Sequence, residues 1–340
     1  MDQITIKEVA RICGVGVSTV SRAINDHPDI NPQTKQMVLD TIRKYHYIPN
    51  NSARNLKRSQ SRTIAVMVKG ISNPFFGSII QVIEREIEHR SYSFTLHQVE
   101  EQEDEIDAAI HLEKEKRLKG IIFLGGMSYH SAEKLKLLGV PFVVCTVDMQ
   151  LPEEVRNGAV VSVDDKAESR RMMDYLIEKG HRRIAIITGA EDDRSIGESR
   201  LAGYRESLLA AGLTYDQKLV QYVDSSTTYT MENGYEAAAR LLSREPGISC
   251  IFAVSDTLAI GACKAVLDAG LRIPDDISVA GFDGIEMTKF YNPSITTICQ
   301  PREEMAREAV KVLFELMKKK ELSRSKYLFE GILQEGVSVR

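Results

Sequence analysis

The sequence predicts a small all-α head followed by an α/β body of two lobes built on parallel sheets. The head is indicated by two short amphipathic segments on either side of Gly14–Gly16. The body is indicated by short apolar runs that alternate with longer amphipathic segments from Thr63 onward. Alternating strands and helices favour parallel sheets with right-handed crossovers, and two such sets favour two similar lobes around a cleft.

The head begins with a helix signal, because Thr5 followed by Glu8 has the spacing of a capping box. One apolar face then follows at helical spacing: Ile6, Val9, Ala10 and Cys13. After the glycine turn a second short helix is expected, with Val20, Ala23 and Ile24 inward and Val17, Ser18, Ser21, Arg22 and Asn25 outward. A helix-turn-helix lays such a second helix in the DNA major groove, although any small helical hairpin has the same geometry.

A third helix is expected after Asn31-Pro32, because asparagine is a favoured N-cap residue and proline suits the first helical position. Its apolar stripe consists of Met37, Val38, Thr41, Ile42 and Tyr45, and Tyr47-Ile48-Pro49 ends it. Residues 50–62 are polar and basic apart from Ala53 and Leu56. A segment this short forms a poor helix in water, because helix nucleation is unfavourable.

The charge is unevenly distributed along the chain. The 340 residues carry a net charge of −4, but residues 1–62 hold ten Lys/Arg against five Asp/Glu, which leaves −9 for the remainder. Between Thr41 and Ile83 every charged residue is basic. A basic head on an acidic body suits phosphate binding at one end, and a solvated basic linker is the alternative.

The body contains two sets of predicted strands. The first set is Ile64–Val68, Ser93–Leu96, Gly120–Leu124 and Pro141–Val144, with helices over Gly77–His89 and Glu103–Lys116. The second set is Val160–Val163, Ile184–Thr188, Cys250–Val254 and Ser278–Phe282, with helices over Ala167–Lys179, Leu201–Ala211, Asn233–Arg244 and Thr257–Asp268. Ligands of such sheets bind outside the carboxyl ends of the strands.

Several side chains that suit a polyhydroxyl ligand lie where a cleft would be lined. Asp148, Asp256 and Asp283 come just after predicted strands, and Arg194 and Arg200 lie in the loop and helix start after Ile184–Thr188. The aromatic candidates are Phe75, Phe76 and Tyr229. Carboxylates accept from hydroxyls, guanidinium groups donate a planar fork, and aromatic rings stack on a sugar or base. The alternatives are that Asp256 is a helix N-cap, that Asp283 caps a turn with Gly284, and that the two phenylalanines are core residues.

Other classes of protein fit the sequence less well. No apolar run approaches the roughly 18 residues of a membrane span, and the amino terminus lacks a secretory pattern, so we expect a cytoplasmic protein without a membrane partner. Five dispersed cysteines and seven dispersed histidines give no disulfide framework and no metal-type pair. No phosphate loop, nucleophile elbow or zinc-protease motif is present, so we expect neither an enzyme nor a cofactor.

The head matches a known pattern residue by residue. The matching residues are Ile6–Ala10, Gly14, Val15, Ser18-Thr19-Val20-Ser21-Arg22, Asn25 and Tyr47-Ile48-Pro49-Asn50. The body adds Ser72-Asn73-Pro74-Phe75-Phe76, Arg200-Leu201-Ala202-Gly203-Tyr204, Ser255-Asp256 with Ile260-Gly261, Gly281-Phe282-Asp283, and Thr296-Thr297-Ile298 with Gln300-Pro301. In these motifs the sequence resembles the LacI/GalR family of bacterial transcription regulators over essentially its whole length.

The resemblance implies a domain plan. Residues 1–49 would form the helix-turn-helix headpiece, 50–62 a hinge, and 63–340 an effector-binding and dimerisation domain that resembles a periplasmic binding protein. The first lobe would comprise about 63–160 and 293–320, and the second about 161–292 and 321–340. No leucine heptad tail is visible, so a homodimer is expected.

The resemblance also implies roles in DNA binding at a near-palindromic operator. Base edges would be read by Val17, Ser18 and Arg22. The DNA backbone would be contacted by Thr5, Thr19, Ser21, Asn25, Asn31, Thr34, Tyr47 and Asn50. In the minor groove the hinge residues would be Ala53, Leu56 and Lys57, with Leu56 as an apolar wedge. The family usually has serine where this chain has Gly16, which removes one hydroxyl for a phosphate contact.

For the effector, the resemblance implies contacts from Arg200 and Asp283 first, and then from Phe75, Phe76, Asp148, Arg194, Tyr229 and Asp256. Sugars, sugar phosphates and purines all bind this scaffold, so the small molecule stays open, as does the direction of its effect. One alternative is the same scaffold controlled by a phosphoprotein corepressor. A more distant alternative is a sugar-binding protein without a DNA role.

Overall fold

The computed structural model describes residues 5–24, 27, 29–45, 62–191, 194–224, 228–320 and 322–340. The chain divides into two compact units, residues 1–61 and 62–340. The described part of the first unit contains α1 (Ile6–Cys13), α2 (Val17–Ile24) and α3 (Pro32–Lys44).

The three helices of the head enclose a small apolar core. Its buried members are Val9, Ala10, Val20, Ala23 and Val38. The predicted capping box is confirmed, because the Glu8 N–H donates to Thr5 Oγ1 and the Thr5 N–H donates to Glu8 Oε2. Helix α1 ends at Gly14, whose φ of 65° lies in the left-handed region that favours glycine.

The apolar stripe of α3 is narrower than predicted. Val38 is buried and Ile42 packs against the same core, while Thr41 Oγ1 accepts from Cys13 Sγ at 3.3 Å. Met37 and Tyr45 are 42% and 44% exposed, so the prediction that they face inward is wrong. They occupy the margins of a stripe that spans only one side of a short helix.

The second unit is built on two six-stranded sheets within the described residues. The first sheet contains β1 (Thr63–Lys69), β2 (Ser93–Val99), β3 (Gly120–Leu124), β4 (Phe142–Cys145), β5 (Gly158–Val163) and β11 (Lys326–Phe329). Its strand order is β11-β5-β4-β3-β1-β2, and every neighbouring pair is parallel.

The second sheet contains β6 (Ile184–Thr188), β7 (Val220–Tyr222), β8 (Cys250–Ala253), β9 (Ser278–Asp283), β10 (Thr296–Cys299) and β12 (Ile332–Gln334). Its order is β12-β10-β9-β8-β6-β7. The edge strand β12 pairs antiparallel with β10, whereas the other pairs are parallel, so the expectation of purely parallel sheets is corrected at this edge.

Helices cover both sheets. The helices of the first lobe are α4 (Phe75–His89), α5 (Glu105–Lys116), α6 (Ala132–Leu135) and α12 (Arg302–Met317). Those of the second lobe are α7 (Asp165–Glu178), α8 (Ile196–Ala210), α9 (Met231–Arg244), α10 (Asp256–Asp268) and α11 (Met287–Phe290), with a 3₁₀ turn at Gln217–Leu219.

Strand β1 shows why such sheets read as continuous apolar runs. Ile64, Val66 and Val68 point to the core on one face, and Ala65 and Met67 to a separate core on the other. All five side chains are at most 1% exposed. Helices lie on both faces, so alternation between polar and apolar residues disappears and only the apolar run remains in the sequence.

The chain passes between the lobes three times in the described residues, at points that differ from those predicted. The crossovers fall between Val163 and Asp165, between Cys299 and Arg302, and between Phe329 and Ile332. The predicted lobes place β10 in the first lobe and β11 in the second, but their sheet pairings put them the other way round. The predicted strand Val160–Val163 belongs to the first sheet and not to the second set, because β5 pairs with β4 and β11. In the described part of the chain no helix is long and apolar enough to cross a membrane.

Candidate functional site

The outer face of α2 carries the residues proposed to read DNA bases. Val17 is 41% exposed, Ser18 is exposed, and the Arg22 side chain is 57% exposed. Arg22 Nη1 lies 3.2 Å from Asp29 Oδ2, an ion pair that solvent screens at this exposure. These three side chains therefore stand on one accessible face of a short helix whose other face is buried through Val20 and Ala23.

The residues proposed to contact the DNA backbone fall into two groups in the head. Asn31 Oδ1 accepts from the Gln33 and Thr34 N–H groups, which confirms the predicted N-cap, and Thr5 is part of the capping box. Thr19, Ser21 and Thr34 are half-buried. The remaining candidates lie outside the described residues: Asn25, Tyr47, Asn50, Ala53, Leu56 and Lys57.

Gly16 directly precedes α2, at the position where the family pattern leads one to expect serine. Its carbonyl accepts from the N–H groups of Thr19 and Val20 at 2.9 and 3.1 Å, as an N-cap carbonyl does. A Cβ built at this position would lie 3.5 Å from Ser18 Oγ, an ordinary contact. The fold therefore has room for a side chain at Gly16.

A cavity of about 1030 Å³ lies between the two lobes. Its walls come from the carboxyl ends of strands in both sheets, including the turns after β1, β3 and β6 and the ends of β2 and β9. This is the expected place for a ligand in an open α/β sheet. Six of the eight predicted effector residues line it: Phe75, Phe76, Arg194, Arg200, Tyr229 and Asp283.

Arg200 organises the buried end of the cavity. Its side chain is fully buried, and its Nε and Nη2 lie 2.8 and 2.7 Å from Asp165 Oδ1. Nη1 donates to the Val254 carbonyl and lies 3.4 Å from Asp283 Oδ1, and the guanidinium stacks 3.5 Å above the Phe282 ring. Burial raises the pKa of Asp165 to about 6, although the adjacent guanidinium opposes that rise.

Asp283 presents a buried carboxylate at the same end. It is 2% exposed, and its Oδ1 accepts from Gln300 Nε2 at 2.9 Å. Its φ of 115° lies in the left-handed region, where a non-glycine residue is strained, and it directly precedes Gly284. Burial raises its pKa, against the opposing influence of Arg200, Gln300 and Asn73. Side chains from both lobes thus converge on one acceptor.

Asp256 lies outside the cavity wall, which corrects its assignment as an effector contact. Its Oδ1 accepts from Thr297 Oγ1 at 2.6 Å and its Oδ2 from the Ile285 N–H at 2.8 Å, with all of the side chain buried. The alternative role as N-cap is also wrong, because Ser255 Oγ accepts from the Leu258 N–H. Burial and the neighbouring Asp283 raise the pKa of Asp256 well above its ordinary range. Asp256 braces the turn that follows β9.

Asp148 also lies outside the cavity wall. It follows β4 as predicted, but its carboxylate pairs with Lys326 at the start of β11. The pairing is possible because only one strand, β5, lies between β4 and β11 in the sheet. Asp148 therefore holds the edge strand β11 through an ion pair and does not face the cavity.

The aromatic side chains serve both the core and the cavity. Phe75 and Phe76 are 3% and 8% exposed and pack edge to face with centroids 5.4 Å apart. Tyr229, from the second lobe, shares a hydrogen bond of 3.0 Å with Ser195 Oγ. The cavity thus has apolar surface from both lobes, next to the polar end at Arg200.

The two lobes also bond to each other directly across the cleft. The Ser128 N–H and Oγ, in the loop after β3, both donate to the Arg194 carbonyl at 2.7 and 2.6 Å. At the crossovers, Asp165 binds Arg200 and Gln300 binds Asp283. A ligand at Arg200 and Asp283 would therefore contact groups that are bonded to two of the segments that connect the lobes.

The third crossover is clamped by α7. Glu168 Oε1 accepts from the Gly331 N–H at 2.7 Å, and Arg171 Nη1 donates to the Gly331 carbonyl at 2.7 Å. A Cβ at Gly331 would lie 2.6 Å from Ile298 Cγ2, so only glycine fits. The N–H and the carbonyl of Gly331, which belong to two successive peptide groups, are thus both bonded to side chains of α7.

Sequence reasoning missed part of the site. Gln300 and Asn73 stood in matched motifs without an assigned role, and both line the cavity. Their motif membership was the signal that could have found them. Lys69, Met127 and the segment 98–102 also line it, and nothing in their local sequence marks them. No cluster that could hold a metal ion occurs among the described residues.

Comparison with known proteins gives the same picture for both units. A family model described as bacterial regulatory proteins, lacI family, matches residues 5–50, and one described as a periplasmic binding protein-like domain matches residues 173–339. The HTH-type transcriptional regulator MalR of Clostridium butyricum is 40% identical, with 92% of each chain covered. The HTH-type transcriptional repressor CytR of Escherichia coli is 32% identical, with 92% of this chain and 89% of that protein covered.

A solved structure matches the whole chain as well. A complex of the transcriptional regulator CelR with cellobiose is 30% identical and superposes with a TM-score of 0.71, covering 99% of this chain and 100% of that one. The similarity spans the head and both lobes. The chain belongs to the LacI family of bacterial regulatory proteins.

Proposed function

We propose that this protein is a homodimeric transcriptional repressor whose affinity for a near-palindromic operator is set by a sugar-like effector bound between its lobes. The observation that carries the proposal is the union, in one chain, of an accessible helix-turn-helix face and a polar cavity between two lobes. The named relatives are transcriptional regulators, which supports the DNA-binding role. A protein that acts on chromosomal DNA works in the cytoplasm.

In the DNA complex, each α2 reads one half-site in the major groove. Arg22 donates two hydrogen bonds to one guanine, exchanging its ion pair with Asp29 for base contacts. Val17 contacts a thymine methyl, and Ser18 bonds to a neighbouring base edge. Hydroxyl and amide side chains position the head on the phosphates: Thr5, Thr19, Ser21, Asn31 and Thr34.

The effector acts through the angle between the lobes. A ligand bonded to Arg200, Asp283 and Gln300 contacts side chains tied to two crossovers. The change in angle alters the separation of the two hinges in the dimer. Each hinge carries Leu56, the proposed minor-groove wedge. Coupling of this kind is typically worth about 1–3 kcal/mol, which is roughly 5- to 150-fold in operator affinity.

A sugar is favoured as effector because the cavity combines apolar aromatic surface with buried acceptors. One structural relative is a regulator in complex with cellobiose, which supports the same choice. A purine or a phosphoprotein corepressor would act on the same scaffold, and each is an outcome of the test below.

The test is fluorescence anisotropy of full-length protein on a duplex that the protein itself selects from a random library. We expect Arg22→Ala to weaken binding by about tenfold or more and to abolish the preference at one base pair per half-site. Arg307→Ala, an exposed arginine on α12, removes the same charge from the body and serves as control. Equal losses in both variants would contradict base reading by Arg22.

The effector arm adds sugars, sugar phosphates, purines or a phosphorylated carrier protein to the same duplex complex. The proposal expects a sugar to change operator affinity. A response to purine alone, or to the carrier protein alone, would replace the sugar with that effector.

A further inference from the structure

The cavity is larger than the group of polar side chains around Arg200 requires. Its volume of about 1030 Å³ lies at the top of the usual range of roughly 300–1,000 Å³ for small-molecule sites. Beyond Arg200 and Asp283 the wall continues along residues 98–102, at the end of β2, and over the glycine pair 125–126 after β3. The site therefore has an inner end at the crossovers and an outer end in the first lobe.

The inner end is built to bind a hydroxyl donor. Gln300 is 5% exposed and lines the cavity, and its Nε2 is committed to Asp283 Oδ1. That bond fixes the orientation of the amide, since a carboxylate accepts and does not donate. Gln300 Oε1 is then a buried acceptor without a hydrogen-bond partner among the residues that the structure describes. A buried acceptor without a donor is destabilising, and a ligand hydroxyl would supply the missing donor.

The wall between the two ends includes a pair of adjacent glycines. Gly125 and Gly126 have φ angles of 71° and 112°, which residues other than glycine rarely adopt. A Cβ at Gly126 would lie 2.4 Å from Glu105 Oε1, and one at Gly125 would lie 2.6 Å from the Lys69 carbonyl and 3.3 Å from the Phe76 ring. The Cβ directions of both glycines are thus filled by neighbouring protein atoms, and the backbone that lines the cavity here carries no side chain of its own.

The charges on the wall favour a neutral ligand. Among the described lining residues the acids are Glu100, Glu101 and Asp283, and the bases are Lys69, Arg194 and Arg200. Arg200 is paired with two carboxylates, and Lys69 Nζ donates to the Glu103 carbonyl and lies 3.8 Å from Glu105 Oε2. A phosphate dianion would meet three carboxylates and only one exposed cation, so its entry is unfavourable.

The outer end carries the groups that bind neutral hydroxyls. The side chains of Gln98, Glu100 and Gln102 are exposed and line the cavity, so two amides and a carboxylate face one stretch of wall. Amides both donate and accept, which matches the dual role of a sugar hydroxyl. A single ring held at Gln300 leaves this stretch without a partner.

We propose that the effector is an uncharged saccharide of at least two pyranose rings, with one ring anchored by Gln300 and Asp283 and the next over Gly125–Gly126 against residues 98–102. The assignment rests on the proposed function only in that both use the cleft between the lobes. It names a chemical class, a neutral disaccharide or longer oligosaccharide, and excludes monosaccharides, sugar phosphates and purines as the tightest ligands.

The first test is titration calorimetry of the full-length protein with glucose, glucose 6-phosphate, hypoxanthine and a disaccharide panel (maltose, cellobiose, lactose, sucrose, trehalose and melibiose). We expect at least one disaccharide to bind about tenfold or more tightly than glucose, and glucose 6-phosphate to bind more weakly than glucose. The proposal is overturned if glucose, glucose 6-phosphate or hypoxanthine binds most tightly, or if no disaccharide binds at millimolar concentration.

The second test separates the two ends. In the double variant Glu100→Ala with Gln102→Ala, affinity for the preferred disaccharide should fall about tenfold, as expected for two lost hydrogen bonds, while glucose affinity is unchanged. Gln300→Ala should weaken both ligands. Glu115→Ala, an exposed acid on α5, is the control with both affinities unchanged. Unchanged disaccharide binding in the double variant, with an unchanged melting temperature, overturns the outer site.

The operator assay keeps this inference distinct from the regulatory one. If a disaccharide binds with the expected preference but leaves operator affinity unchanged, the ligand class stands and the proposed regulation fails. If a monosaccharide or purine alters operator affinity and no disaccharide binds, the regulation stands and the ligand class fails.

Discussion

Thr297→Val tests the reassignment of Asp256 from ligand contact to structural brace. Thr297 Oγ1 donates to Asp256 Oδ1 at 2.6 Å, and both side chains are completely buried. Valine has nearly the same shape but no hydroxyl, so it leaves one carboxylate oxygen without its donor. Loss of a buried hydrogen bond to a carboxylate costs about 1–3 kcal/mol.

For a unit of this size, about 2 kcal/mol corresponds to a fall in melting temperature of roughly 4–8 °C. Thermal unfolding followed by circular dichroism measures the fall, and calorimetry with the preferred disaccharide measures ligand affinity on the same variant. We expect the melting temperature to drop and the affinity at 25 °C to stay within about twofold, because Asp256 does not line the cavity.

Thr95→Val is the matched control, because Thr95 is half-buried on the edge strand β2 of the other sheet. It should leave both quantities unchanged. A Thr297→Val protein with normal melting but about tenfold weaker ligand binding would refute the reasoning, since Asp256 would then act on the ligand.

Three further changes probe other parts of the molecule. Gly16→Ser adds a side chain where a Cβ meets only ordinary contacts. It should stabilise the head by a few tenths of a kcal/mol and tighten operator binding. Weaker operator binding in anisotropy would contradict the role of Gly16 as N-cap. Asp256→Asn removes a carboxyl whose pKa is raised in the folded state. The wild type should therefore lose stability relative to the variant as pH rises above the ordinary carboxyl range. A constant difference in melting temperature between the two proteins across pH 4–8 would contradict the raised pKa. Ser128→Ala removes the hydroxyl bond to the Arg194 carbonyl across the cleft, so stopped-flow dissociation of the ligand should accelerate about threefold, whereas Ser131→Ala, a helix cap in the same lobe, should not change it.

The sequence predicted the elements of the fold because each leaves a local pattern. The helices of the head follow from apolar spacing and caps, and Thr5, Gly14 and Asn31 end or begin helices as expected. The strands of the body follow from apolar runs, since both faces of each sheet are covered. Partner choice is a different matter: nothing local in Thr296–Cys299 says that it joins the second sheet, because that depends on pairing with β9 and β12.

The candidate site was predicted in position but not in every side chain. Residues at or shortly after the carboxyl end of a parallel strand lie near the cleft, which agrees with the position of Asp283 and Arg194 in the cavity wall. Asp256 meets the same rule, but its carboxylate turns toward Thr297 and the Ile285 N–H, groups 41 and 29 residues away in sequence. Asp148 pairs with Lys326, which lies on β11, a strand far from Asp148 in the sequence. Such long-range partners carry no local sequence signal.

The measurement that bears most directly on the account is operator affinity of the full-length protein with and without the preferred disaccharide. The duplex is one that the protein has selected, and anisotropy is recorded at fixed salt, because phosphate contacts make affinity salt-dependent. The account predicts selective binding of that duplex over random DNA and at least a fivefold change in Kd when the sugar is added. Equal binding to all duplexes at low salt, or a Kd that no saccharide changes, would contradict it.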